Sequence, residues 1–268
     1  MKNKKKIALL SANKYSAYSS SVLYLALKEN IKVELIIVKK ISGINRIYKE
    51  FKRDKFGLIV KVFKKIILQK LVTLGFSFDS IDGFTKYFKD NCNKHSSLIQ
   101  LAKDNNIPIY EVKDFHEQEI LEKIKEKYID LILFTGGGLI RSSLINVPKY
   151  GIINCHMGIL PEYRGMDCTY WAILNNDFKN IGYTTHLIDP GVDTGAIIKN
   201  YYVKNLLNKS SDDLVKEIEY NMAPAIIEST LLLLLNDNIK LRPQNKEDGK
   251  QYYVICEKLK KNKLKYGK

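Results

Sequence analysis

The stretch Gly151–Gly165, GIINCHMGILPEYRG, constrains the fold more than any other part of the chain. It begins as a short apolar run at Ile152–Ile153 and then places Asn154 and His156 two residues apart. Side chains of an extended strand alternate between faces, so this spacing sends an amide and an imidazole out of one face together. The loop Leu160–Gly165 (LPEYRG) follows at once. Proline fixes φ and glycine opens conformations closed to other residues, which gives the loop a defined shape. Polar groups at a strand end beside a turn are where open α/β sheets present their chemistry. A lone core histidine is more often a satisfied structural residue; a second motif turns the balance.

That motif is Gly182–Gly195, GYTTHLIDPGVDTG, another strand-like run ending in a loop rich in Asp and Gly. It supplies an acid, Asp193, that can meet Asn154 and His156. Taken together, N-x-H-x-G-x-L-P-x-Y-R-G and H-x6-D-x-G resemble the signature of the folate-dependent formyltransferases. That family includes the glycinamide ribonucleotide, methionyl-tRNA and sugar N-formyltransferases. The resemblance covers roughly Asp130–Val203. It implies a Rossmann-like α/β fold of the formyltransferase type and 10-formyltetrahydrofolate as cosubstrate.

The order of segments agrees with an open, mostly parallel sheet carrying helices on both faces. Strands are expected at Ile7–Leu10, Val33–Val38, Ile107–Val112, Asp130–Thr135, the Asn-His segment, Tyr183–Ile188 and Ala196–Val203. Helices are expected at Val22–Leu27, Phe84–Asn105, Glu117–Lys127 and Thr169–Leu174, with a long one from Ser210 to about Leu235 bent at Pro224. Ser210 and the acids after it form a helix-start pattern. Between Ser42 and Asn93 no strand pattern appears, and Leu58–Leu74 has apolar residues at helical spacing with lysines elsewhere. This reads as a helical insertion at about 42–93 within a catalytic domain of residues 1–235. Residues 236–268 read as a short C-terminal extension, with Gly249–Val254 as a tail or hairpin. Those roughly thirty residues are too few for the C-terminal barrel of methionyl-tRNA formyltransferases, because domains below ~40 residues rarely stand unaided.

Transfer of a formyl group to an amine is acyl transfer through a tetrahedral oxyanion. Asn154 can donate to that oxyanion, and protonated His156 beside it. Asp193 can hold His156 charged and accept the amine proton through water. The resemblance implies direct transfer with no cysteine or serine nucleophile. It also implies that Gly136, Gly137 and Gly138, continuing through Leu139, Ile140 and Arg141, hold the pterin by backbone bonds and apolar walls, with Asp189 assigned to the same site. The loop Ser11–Ser21 after the first strand lies near the acceptor in the family, which makes Ser11, Asn13 and Ser19 candidates. Tyr163 and Arg164 are candidates for stacking and for bidentate phosphate contact. His186, at a family-like position, is assigned to the substrate.

The favoured acceptor is a small-molecule primary amine on a nucleotide-linked amino sugar. Methionyl-tRNA, glycinamide ribonucleotide and water, the last making the protein a 10-formyltetrahydrofolate hydrolase, are the alternatives. Lys+Arg of 44 against Asp+Glu of 29 gives a net charge of +15, compatible with nucleic acid. The lysines are scattered, so that partner is not favoured. Cys92, Cys155, Cys168 and Cys256 form no C-x-x-C pair, and the Cys155, His156 and Cys168 spacing fits no standard zinc site, so neither disulfide nor metal is expected. No signal-peptide core and no transmembrane run is apparent, which makes a cytoplasmic location the expectation.

Overall fold

The computed structural model describes residues 5–40, 82–92, 97–236, 239–256 and 259–260. The helix expected over Leu58–Leu74, and most of the insertion expected at 42–93, lie outside the described residues.

Five apolar runs form parallel strands: β1 (Ile7–Ser11), β2 (Val33–Lys39), β3 (Ile109–Val112), β4 (Leu131–Thr135) and β5 (Ile152–His156). After the short strand β6 (Tyr163–Gly165), β7 (Gly182–Leu187) and β8 (Ile197–Tyr202) complete a seven-stranded sheet of order β3-β2-β1-β4-β5-β7-β8. β7 runs antiparallel to both β5 and β8, so the sheet is mixed but mostly parallel.

Alternation along the strands splits the core in two. Ile7, Leu9, Leu131, Leu133, Ile153 and Cys155 face one side, and Ala8, Leu10, Ile132 and Ile152 face the other. The helices cover both sides. Among the described residues they are, in chain order, α1 (Ala17–Lys28), α2 (Gly83–Asn91), α3 (Leu98–Asp104), α4 (Gln118–Glu126), α5 (Ser142–Ile145), α6 (Cys168–Leu174) and α7 (Ser211–Leu235). Apolar residues of α1, α3 and α7 join the first cluster, and Ile120, Leu121 and Ile124 of α4 with Leu144 of α5 join the second.

Several boundaries differ from expectation. α1 starts at Ala17, before Val22, because the Ser16 hydroxyl accepts the Ser19 N–H and caps it there. The helix expected over Phe84–Asn105 is two helices, capped separately by Asp82 and Ser97. Ser210 and Asp213 form the reciprocal capping box of α7, which runs without a break through Pro224. α7 is long and apolar enough to cross a membrane, yet it is a core helix with Leu214, Ile218, Met222 and Ile226 buried in the domain. The expected tail or hairpin near the end is β9 (Lys250–Tyr252), which pairs in parallel with β6.

Candidate active site

β5 aims the site. Asn154 and His156 share a face, as the period of two requires, while Cys155 between them points into the apolar core. On the antiparallel neighbour β7, His186 is paired directly opposite Asn154. β7 then leads into the Asp189–Gly195 loop, which returns Asp193 to both histidines. The Asp193 Oδ2 atom lies 3.4 Å from His156 Nδ1, and Oδ1 lies 3.5 Å from His186 Nε2. These groups open on a cleft of about 670 Å³ at the C-terminal ends of β4 and β5. This is beside the point, between β1 and β4, where the strand order reverses.

Hydrogen bonding fixes most of the orientations. His186 Nδ1–H donates to the Leu187 carbonyl at 2.8 Å, which leaves Nε2 as an acceptor. Asn154 Nδ2 therefore donates to it at 3.1 Å, and the second amide N–H remains for the cleft. Nε2 also lies 3.5 Å from Asp193 Oδ1, so it stands between the Asn154 amide and the carboxylate. His156 Nε2–H donates to the Tyr163 carbonyl at 2.8 Å, with the Cys168 thiol 3.5 Å away. The proton on Nδ1, facing Asp193, is thus the exchangeable one.

Two opposing effects act on the His156 imidazole. His156 is buried, and burial depresses its pKa below the ordinary histidine value although Asp193 and the Tyr163 carbonyl pull upward. Burial and the Asp193 carboxylate thus act on the imidazole in opposite directions, with burial the larger. Burial works against Asp193 too, but the neighbouring histidines and the Gly165 N–H, which donates at 3.0 Å, outweigh it. They hold its carboxyl well below the usual carboxylate range. Asp193 also sits in the left-handed region, at φ +53°, an unusual conformation for a non-glycine residue.

The cleft brings together Gly138, Leu139, Ile140, Arg141, Asn154, His156, His186, Asp189 and Asp193. Gly136 and Gly137 do not line it. Both, like Gly138, have positive φ, and a Cβ on Gly137 would lie 2.6 Å from Cε2 of the buried Phe115 ring. A side chain at Gly137 would therefore collide with Phe115. Ser11 is fully buried, and its hydroxyl binds the Asn13 carbonyl and the Ser19 hydroxyl, each at 2.7 Å. Ser19 binds Thr135 in turn at 2.7 Å, so these serines tie β1, α1 and β4 together beneath the surface. Asn13 uses its side-chain oxygen to accept the Tyr15 N–H. Tyr163 is buried, stacked on Tyr252 with its hydroxyl donating to Asp177. Arg164 is buried as well and binds Gln244 and the Asn245 carbonyl. Neither is placed to grip a substrate phosphate.

Sequence reasoning missed two supporting residues. His116 Nε2 accepts the Arg141 N–H at 2.9 Å while its Nδ1–H donates to Asp114, which pins the cleft loop after β4. Gln244 reaches the Asp193 loop from the chain segment before β9. His116 carried no motif, and Gln244 lay in a polar stretch without periodicity.

The family model described as formyl transferase matches residues 85–230. A methionyl-tRNA formyltransferase of Clostridioides difficile (strain 630) is 32% identical over 154 residues, covering 57% of this chain and 49% of that protein. One from Clostridium acetobutylicum is 35% identical over 138 residues, covering 46% and 44%. The chain thus spans about half the length of the curated relatives it matches. Glycinamide ribonucleotide transformylase 1 from Symbiobacterium toebii shares the fold at a TM-score of 0.57 and 15% identity, over 91% of this chain and 96% of that one. A sugar N-formyltransferase from a Shewanella species gives 0.55 at 15% identity, over 94% and 78%.

Proposed function

The chain belongs to the formyl transferase family, and we propose from that premise that it moves a formyl group from 10-formyltetrahydrofolate to a primary amine by direct attack. The observation that carries this reading is the meeting of Asn154, His156 and Asp193 in one cleft. The amine nitrogen bonds to the formyl carbon, and the carbonyl π electrons move to oxygen. The free Asn154 N–H stabilises that oxyanion. Neutral His156 takes the amine proton at Nδ1, and ionised Asp193 stabilises the imidazolium that forms. Collapse breaks the bond from the formyl carbon to the folate nitrogen, which takes the proton from His156. The folate lies against Gly138, Leu139 and Ile140, where an exposed Leu139 side chain offers an apolar wall.

The acceptor amine is carried on an anion. The net charge of +15 and Arg141, exposed on the cleft rim with one guanidinium nitrogen 3.6 Å from Asp114, support this class. Nucleotide-linked amino sugars and charged initiator tRNA both belong to it. The case for the sugar from Ser11, Tyr163 and Arg164 falls with their burial, while the curated relatives are named for tRNA. Incubation with 10-formyltetrahydrofolate and a panel of nucleotide amino sugars, initiator methionyl-tRNA and glycinamide ribonucleotide tests the reading. Folate product that depends on one amine supports it. Equal product without any amine would indicate hydrolysis.

A further inference from the structure

Arg242–Gln244 follows α7 in a stretch that the proposed chemistry leaves unused. Arg164 can only donate hydrogen bonds, and its Nε and Nη2 atoms reach the Gln244 side-chain oxygen at 3.2 and 3.0 Å. The orientation of the Gln244 amide is thereby fixed. Its nitrogen must face the other way, where it donates to the carbonyls of Asp193 and Gly195 at 3.1 and 2.5 Å. Gly165, next to Arg164, donates its N–H to the Asp193 carboxylate. The bonds close a ring that runs Arg164, Gln244, Asp193, Gly165 and back to Arg164. Two carbonyls of the loop that carries Asp193 in its left-handed turn are thus held by one glutamine side chain.

We propose that Gln244 is a positioning residue that, clamped by Arg164, aims the Asp193 carboxylate at His156. It makes no contact with the reacting atoms. Both faces of its amide are needed: a glutamate there would keep the Arg164 side and set an oxygen against the carbonyls of Asp193 and Gly195. This proposal deepens the formyl-transfer reading and rests on it for its kinetic consequence, but its geometric core can be read without turnover.

The test uses the full chain labelled at histidine, with ring titration followed by NMR in wild type, Gln244→Met, Gln244→Glu and Asp193→Asn. His156 faces Asp193, His186 and the Cys168 thiol. Of these the Asp193 anion is the group that raises its pKa. Removing the anion in Asp193→Asn must lower the His156 midpoint, and both Gln244 variants should lower it in the same direction by less. In kinetics on an acceptor amine, both should lose about tenfold or more in kcat with little change in KM for the folate, as a misplaced catalytic group does. A His156 midpoint unmoved in a folded Gln244 variant, with Asp193→Asn moving it, would overturn the proposal. If Gln244→Met does not fold, Gln244→Glu, which keeps the Arg164 contact, gives the answer. Absence of turnover in wild type would count against the formyl-transfer reading and leave the titration result standing.

Discussion

Two loops close the cleft from opposite sides, and they are held in different ways. The Gly136–Arg141 loop after β4 is shaped by its backbone: three glycines at positive φ, Phe115 beneath Gly137, and Ile140 buried in the core. Its polar ties come from outside, from Lys39 to the Gly137 carbonyl at 2.6 Å and from His116 to the Arg141 N–H. The Asp189–Gly195 loop after β7 is shaped by side chains. Asp189 accepts from the Gly191 N–H and the Thr194 hydroxyl, and Gln244 holds two of the loop carbonyls. A loop held by packing offers a seat for a flat ligand. A loop held by directed hydrogen bonds can aim a charge. Damage to the first should appear in binding and stability, and damage to the second in rate.

The largest effect that separates the two belongs to the charged side. His156→Ala, Asn154→Ala and Asp193→Asn should each lower kcat by about 10²–10³, the usual loss for a single transition-state donor. Affinity for a folate analogue should hold, as equilibrium titration can check. The seat behaves in the opposite way. Gly137→Val forces a β-branched residue into positive φ and against Phe115, at a cost of about 2–3 kcal/mol. That amounts to a fall in Tm of roughly 5–10 °C by scanning calorimetry, and folate affinity in the folded fraction should change less. A Gly137→Val protein as stable as the wild type and with unchanged folate affinity would contradict the comparison.

The acid response should be smaller. The folded-state pKa of His156 lies below the ordinary 6.5, so on falling pH the unfolded chain takes up a proton before the folded one does. Stability from this site is complete above about 6.5 and declines below it. Asp193, depressed below the ordinary 3.8, adds a second loss as pH falls through its folded value. Tm measured against pH should show both phases, and His156→Gln should flatten the upper one. The smallest effect is that of His116→Ala, which removes the bond to the Arg141 N–H. A single hydrogen bond of about 1 kcal/mol predicts a few-fold weaker folate analogue with an unchanged pH–rate profile.

The strand residues were legible in the sequence because strand periodicity is strict. Asn154 and His156 had to share a face once the run before them was a strand, whereas the place of His186 opposite Asn154 came from the antiparallel pairing of β5 with β7, which the sequence did not indicate. Asp193 could be placed only by motif, since a left-handed aspartate carries no periodic signal. Loop assignments failed where residue type suggested a ligand and packing claimed it first. Arg164 and Tyr163 look like phosphate and base contacts until the 242–252 segment covers them, a contact about eighty residues away that no local pattern encodes. Ser11 failed similarly, because its hydroxyl partner is a serine one helix turn into α1.

The most direct measurement compares wild type with Asp193→Asn, using 10-formyltetrahydrofolate and whichever amine of the panel is formylated. The rate of folate product is followed while bound folate analogue reports the seat. The account predicts at least a ~100-fold slower rate in Asp193→Asn with analogue affinity preserved. A folded Asp193→Asn protein within a few-fold of the wild-type rate, or a wild type that converts the folate as fast with water as the acceptor as with any amine, would contradict it.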